Sequence, residues 1–263
     1  MVRIWLTLKR YIYEIRYFLY MGITEKNKRI VFSRCGNRCS FSNCKQIIAF
    51  KGESEKYTNS GELAHIKGDK KGSERYDSSQ SDGDCNNPDN LILLCGTHHK
   101  IIDDQSDIYT VNKLTEMKQQ HEKWVLEQYS KNVNELTFAE LEVIKKFIIS
   151  NDIVNSDMSV LHLRDKIKKN EISSKTEIVI KLGLARTKLV KKYIDTNLDL
   201  EFGERLKMGF IKEYNKQKKQ FEGDALFDKL HNFSSGGSTD FRDMAASLTI
   251  LCYFFEKCDV FEK

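Results

Sequence analysis

At 263 residues and 40% hydrophobic content, the chain is long enough for one large domain or two ordinary ones with cores of their own. Its net charge of +5 is mildly basic, and ten Lys and Arg against two Glu in the first fifty residues suit a polyanionic partner or an ordinary solvated face. Five of the seven cysteines fall between Cys35 and Cys95 among histidines, with no secretory leader, which argues against a disulfide-built secreted protein and for metal binding in a reducing cytoplasm.

Residues 1–21 are apolar, aromatic and basic. Lys9, Arg10, Glu14 and Arg16 cut every apolar run well short of the roughly 18 residues a membrane helix needs, so the segment reads as an amphipathic packing helix, not a span. An alternative is that the natural start is Met21, which places these residues outside the protein.

A charged stretch over 22–34 leads into Cys35-Gly-Asn-Arg-Cys39-Ser-Phe-Ser-Asn-Cys44. Three cysteines so close together among Gly, Asn and Ser describe a tight turn whose sulfurs can converge on one ion, two of the three joining Cys95 and His98. Cys39-x4-Cys44 fits the spacing of a ligand pair and leaves Cys35 a small buried thiol, with Cys35-x3-Cys39 as the rival pair. Residues 47–51 and 61–67 are short strand candidates, which puts His65 at or near a strand end. The polar stretch 68–88 is a long loop, either lying against a substrate or merely solvated. Pro88 keeps Asn87 out of helical geometry just before an apolar strand at 91–94.

That strand runs into Cys95, and Cys95-x2-His98 opens a helical turn or two. With Cys39 and Cys44 it completes four ligands for a closed structural zinc, the layout of a treble-clef-like ββα unit. His99 is left over, because neighbouring helical residues point about 100° apart and do not serve one ion together. It is either a solvent-facing or stacked side chain or the partner of His65. In the second case one imidazole activates water and the other holds a divalent cation on a phosphate, a site for phosphodiester hydrolysis.

Residues 111–130 carry Leu114, Met117, His121, Trp124, Val125 and Tyr129 at helical spacing, and 132–134 reads as a linker. Beyond it, helices are expected over 136–150, 158–169, 174–194, 202–218, 221–231 and 240–257, with breaks at Asn155, Asn170 and Asn197. The last is apolar nearly all round and so belongs inside a domain or a partner. The expected organisation is an extension over 1–21, an α+β unit over 22–131 and a mostly α-helical assembly or interaction domain over 135–263, with Cys258 packed beside Phe255.

Three fragments together carry a resemblance: Gly61-Glu-Leu-Ala-His65-Ile, Asn90-Leu-Ile-Leu-Leu-Cys95-Gly-Thr-His98-His99-Lys-Ile-Ile-Asp103, and Tyr109 through His121-Glu122. Over about residues 30–128 the chain resembles the HNH endonucleases, of ββα-metal fold. The resemblance implies His65 as general base, Asn90 as the residue orienting the base-bearing loop, and His99 as ligand to a catalytic Mg²⁺ or Mn²⁺. It implies DNA as substrate and 5′-phosphate and 3′-hydroxyl products. Many relatives carry an acidic metal ligand immediately before the base, where this chain has Ala64, which leaves Glu62, Asp103 and His121 as unranked candidates.

Residues 135–263, from Gly203-Glu-Arg-Leu-Lys-Met through Leu226-Phe-Asp-Lys-Leu to Tyr253-Phe-Phe-Glu-Lys, resemble the C-terminal domain of effectors in ABC-three-component, Lamassu-like antiphage systems. That implies docking onto an SMC-like ATPase and a small middle subunit. The competing readings are a helical dimerisation domain, a non-catalytic zinc module that binds nucleic acid or protein, and an assembly component whose metal unit only stabilises.

Overall fold

The computed structural model describes residues 22–51, 57–151, 163–257 and 261. The helix expected over 1–21 and the packing of Cys258 lie outside these residues. Helix α1 (Glu25–Arg34) opens on Thr24, whose side chain accepts the Asn27 N–H. Two antiparallel ribbons follow. Strand β1 (Ala49–Lys51) pairs with β2 (Tyr57–Asn59), and β3 (Gly61–His65) pairs with β4 (Leu91–Cys95).

In the second ribbon Gly61 faces Cys95 and His65 faces Leu91. A Cβ at position 61 would stand 2.2 Å from the Leu94 carbonyl oxygen, so this register needs glycine there. All five residues of β4 are buried, which explains an unbroken apolar run in place of alternation. Between β3 and β4 the long connection carries a single-turn helix α2 (Asp82–Cys85) and a 3₁₀ turn at Pro88–Asn90. Helix α3 (Gly96–Asp104) then starts at the end of β4 and packs back on the ribbon.

Helix α4 (Val111–Glu135) is capped by Thr110 and buries Leu114, Met117, His121, Val125, Tyr129 and Val133 along one stripe. It runs straight through residues 132–134, where a linker is expected. Val133 is 1% exposed and sits in an apolar core, and that burial keeps the last turn helical.

The helical region continues with α5 (Phe138–Ile148), α6 (Leu163–Lys169), α7 (Ser174–Leu184), α8 (Thr187–Asp195), α9 (Phe202–Gln217), α10 (Gly223–Ser234) and α11 (Phe241–Lys257). Helix α11 is its axis, buried almost continuously from Ala245 to Phe255 and touched by α4, α5, α7, α8 and α10. Thr249 and Ser247, both fully buried, give their hydroxyl protons to carbonyls of their own helix, so neither hydroxyl is stranded. The single helix expected over 174–194 is two, turning at Ala185 and Arg186. The Arg186 guanidinium donates to the Leu136 carbonyl, and the turn lets Ile180 and Val190 reach the same core. At Gly183 a Cβ would lie 2.5 Å from Cys252 Sγ, so glycine sets the close approach of α7 to α11.

The described residues thus form a small sheet-and-helix region followed by a mostly helical one, with two apolar cores. The first gathers Val31, Ile48, Ala64, Ile66, the β4 residues, Ile102, Leu114 and Met117. The second gathers the residues around α11, including Val125, Tyr129 and Val133 of α4.

Candidate metal centre and active site

The knuckle turns through left-handed residues at Gly36 and Asn37 before Cys39 and at Asn43 and Lys45 around Cys44. Asn37 stabilises the turn, accepting the Ala49 N–H and donating to its carbonyl. The turn delivers Cys39 and Cys44 to the point where β4 ends on Cys95 and α3 begins with His98. One ligand atom from each of the four lies within 4.8 Å of all the others. His98 Nδ1 stands 3.0 Å from Cys95 Sγ and 3.6 Å from Cys39 Sγ, and Phe41 stacks on the imidazole at 3.9 Å between ring centroids.

The donor set fits zinc. Three sulfurs and one imidazole nitrogen suit tetrahedral Zn²⁺, and the Cys95 N–H donates to Cys39 Sγ as backbone amides do to metal thiolates. Burial pushes the Cys39 thiol up to about 12, with the neighbouring Cys44 adding to it, so a cation is what would make this thiol a thiolate. Burial also lowers the His98 imidazole, which favours the neutral form that ligates. Cys35 stays outside the set, fully buried and accepting a hydrogen bond from Ser40 Oγ, so the rival Cys35–Cys39 pair is not the one formed.

His99 points elsewhere. Its Nδ1 lies 3.0 Å from Glu62 Oε2 on β3, and its Nε2 lies 3.4 Å from Asp103 Oδ2, one turn further along α3. The other oxygen of Asp103 accepts from Arg75 Nη2 at 2.8 Å. Arg75 is 6% exposed and holds a left-handed backbone (φ +58°). It also donates to the Ile66 and Ile102 carbonyls, and so ties the end of β3 to the end of α3. Ala64 is 2% exposed between ribbon and α3, leaving no room for a ligand group. Glu62, two residues earlier on the same face of β3, reaches His99 instead.

His65 ends β3 and projects from the opposite face to Glu62 and Ala64. Its Nε2 is 3.2 Å from Asn86 Oδ1, and the two imidazoles have separate partners. Asn90 clamps the chain that follows His65: its Oδ1 accepts the Lys67 N–H, and its Nδ2 donates to the carbonyls of Lys67 and Cys85. His121 does not join the His99 group. It is 2% exposed, its Nε2 lies 3.0 Å from the Cys35 carbonyl and its Nδ1 2.8 Å from Lys45 Nζ. Burial pushes this imidazole down to about 4. Lys45, next to Cys44 and over the Trp124 ring, would place a positive charge beside a zinc held by three thiolates.

Sequence reasoning missed Arg75, Asn86 and Asp89. Asp89 Oδ1 accepts from Arg34 Nη1 of α1 at 3.0 Å and from Lys175 Nζ of α7 at 2.9 Å. Burial pushes the Asp89 carboxyl up, but Lys175 and Arg34 more than offset that and hold it below the usual carboxylate range. Only the polar character of the loop hints at these residues, because their partners stand far off in sequence.

Residues 39–106 match a family model described as HNH endonuclease. The match starts at the first zinc-type ligand and takes in Glu62, His65, Asn90, the Cys95–His99 stretch and Asp103. No curated protein matches the chain. Among the described residues no helix is long and apolar enough to cross a membrane.

Proposed function

We propose that the chain is a metal-dependent endonuclease that hydrolyses phosphodiester bonds in DNA, with a structural zinc at Cys39, Cys44, Cys95 and His98. The observation that carries this reading is the His99 imidazole, held between Glu62 and Asp103 right beside the four-ligand set and inside the span that matches HNH endonucleases.

His99 Nε2 and Asp103 form a nitrogen-and-oxygen donor pair that suits Mg²⁺ or Mn²⁺. When bound, such an ion would neutralise charge on the scissile phosphate and its leaving oxygen. Glu62 accepts the proton on Nδ1, which fixes the tautomer and turns Nε2 outward. Asn86 Oδ1 does the same for His65: Nε2 keeps its proton and Nδ1 keeps the lone pair that takes a proton from water. The water oxygen then attacks phosphorus, the bond to the 3′ oxygen breaks, that oxygen takes a proton from solvent, and a 5′-phosphate and a 3′-hydroxyl result. Asn90 holds the backbone after His65 in place.

Purified chain with Mg²⁺ or Mn²⁺ should nick or cut plasmid DNA, and a chelator should stop it. His65→Ala and His99→Ala should each cost on the order of 10²-fold or more in rate while zinc content and melting temperature hold. Cleavage by both variants at the wild-type rate would sink the reading. A non-catalytic zinc module is the second reading, favoured by the projection of His65 from the face of β3 opposite Glu62. It predicts binding to nucleic acid or protein with no cleavage under any metal.

The second resemblance extends the proposal to antiphage defence, with the helical region docking an SMC-like ATPase and a small middle subunit. Co-expression with adjacent genes of those classes should give a stable complex, and a chain that never co-purifies with them would remove this part.

A further inference from the structure

Where α7 and α10 meet α1 and α4, a cavity of about 320 Å³ opens between the helical region and the metal-binding one. That volume, at a junction of two cores, is within the range of small-molecule sites. Its lining combines an apolar wall, Val125, Leu126, Val179 and Phe227, with the cations Arg34 and Lys175. We propose that the cavity binds a small amphipathic anion, an aromatic or alkyl body bearing one sulfonate, phosphate or carboxylate, and that its binding loosens the loop that carries Asn90. The consequence for cleavage rests on the nuclease reading above; the binding and the loosening do not.

The charges of the cavity decide the sign of the ligand. Its acids are already engaged. Glu122 pairs with Lys118 at 2.8 Å, and Asp224 accepts from both the N–H and the hydroxyl of Ser173 at the start of α7. The cations are each shared between two carboxylates: Lys175 pairs with Asp89 at 2.9 Å and with Glu122 at 3.1 Å, and Arg34 pairs with Asp89 at 3.0 Å and with Asp224 at 3.6 Å. The Asp89 side chain is 68% exposed, and Arg34 Nε is buried with no hydrogen-bond partner. Glu122 and Asp224 are 14% and 10% exposed, so Asp89 is the carboxylate that water can most readily take back. An anion drawn in by the apolar wall competes for Lys175 and Arg34 and releases Asp89. Asp89 precedes Asn90, the clamp on the chain after His65. The cavity is thereby wired to the loop through two side chains.

The probe is 1-anilinonaphthalene-8-sulfonate, titrated by fluorescence into the full chain. Saturable binding of one probe per chain is expected. Val179→Trp and Leu126→Trp, which fill the cavity, and Lys175→Ala, which removes a charge-assisted contact, should each weaken it about tenfold or more. Circular dichroism and zinc content matching wild type establish that each variant is folded. His99→Ala should bind as wild type does, which separates this site from the nuclease reading. With probe bound, amide exchange across residues 87–91 should accelerate in wild type and stay unchanged in folded cavity-filled chains. Non-saturable binding, or binding that the folded variants leave intact, overturns the site. Unchanged exchange at 87–91 on saturation overturns the coupling.

Discussion

Strands β3 and β4 make a two-stranded ribbon packed by the short helices α1 and α3, whereas α11 is touched by five helices and buried for most of its length. Ribbons of two strands are marginal in water, and the first core has little besides β4 and a few residues of α1, α3 and α4 to cover it. The Cys39, Cys44, Cys95 and His98 set stands where more apolar mass would otherwise be needed. The second core closes by packing alone, with Phe210, Leu251 and Phe255 fully excluded from water. Every candidate catalytic group sits on the region that holds the candidate metal site, while the described residues of the helical region, which close by burial, carry none.

Four experiments test that contrast. Cys95→Ser should have the largest effect, because metal binding at such sites is worth about 10–16 kcal/mol of apparent folding free energy. Zinc should be lost and amide protection of β3 and β4 with it, while α11 keeps its protection; a ribbon still protected without metal would refute the contrast. Phe210→Ala should cost about 3–5 kcal/mol in urea unfolding of the helical region and leave zinc stoichiometry unchanged. Asn90→Ala removes two hydrogen bonds with the Lys67 backbone and one to the Cys85 carbonyl and should cost about 1–3 kcal/mol, read as faster exchange over 66–90.

The smallest effect is expected from His121→Asn and concerns pH. The folded imidazole is pushed down to about 4, below its ordinary value, so the folded state resists a proton that the unfolded chain accepts. Stability present above the unfolded value is therefore lost as pH falls toward 4. From about pH 7 to about 5.5 wild type should lose roughly 1 kcal/mol more than the variant, measured by urea midpoints. Equal slopes in the two proteins would show that the buried histidine is not the source.

Much of the first region was legible because its signals are local. Cys39-x4-Cys44, the apolar β4 run and Cys95-x2-His98 each declare themselves within a few residues, and the fold brings them together. Glu62 and Asp103 were visible as candidates but not rankable, since only the packing of α3 on β3 shows that both face His99 and that Ala64 is sealed beneath. His121 misled because a histidine on a helix stripe reads alike whether it binds metal or props a loop. Strand β2 was hidden in polar sequence, and its Thr58 is exposed, so no apolar pattern marks it. The turn at Ala185 and Arg186 has no Gly, Pro or Asn to announce it; packing against α11 imposes it. Asp89 meets Lys175 across 86 residues, a pairing no local pattern can announce.

Helix α4 gives Leu114 and Met117 to one core and Val125, Tyr129 and Val133 to the other. Its 25 residues make a rod of about 37 Å that belongs to both halves. The boundary suggested by composition is therefore a poor place to cut the gene. A fragment ending at 131 would strip Val133 from the helical core and leave Tyr129 bare on the other piece. Recombination that transplants the metal-binding unit onto a new helical body has to carry α4 along and supply a surface shaped to receive its far end. In this architecture the unit with the Cys/His set travels with its own axle, and only bodies that can seat the axle can inherit it.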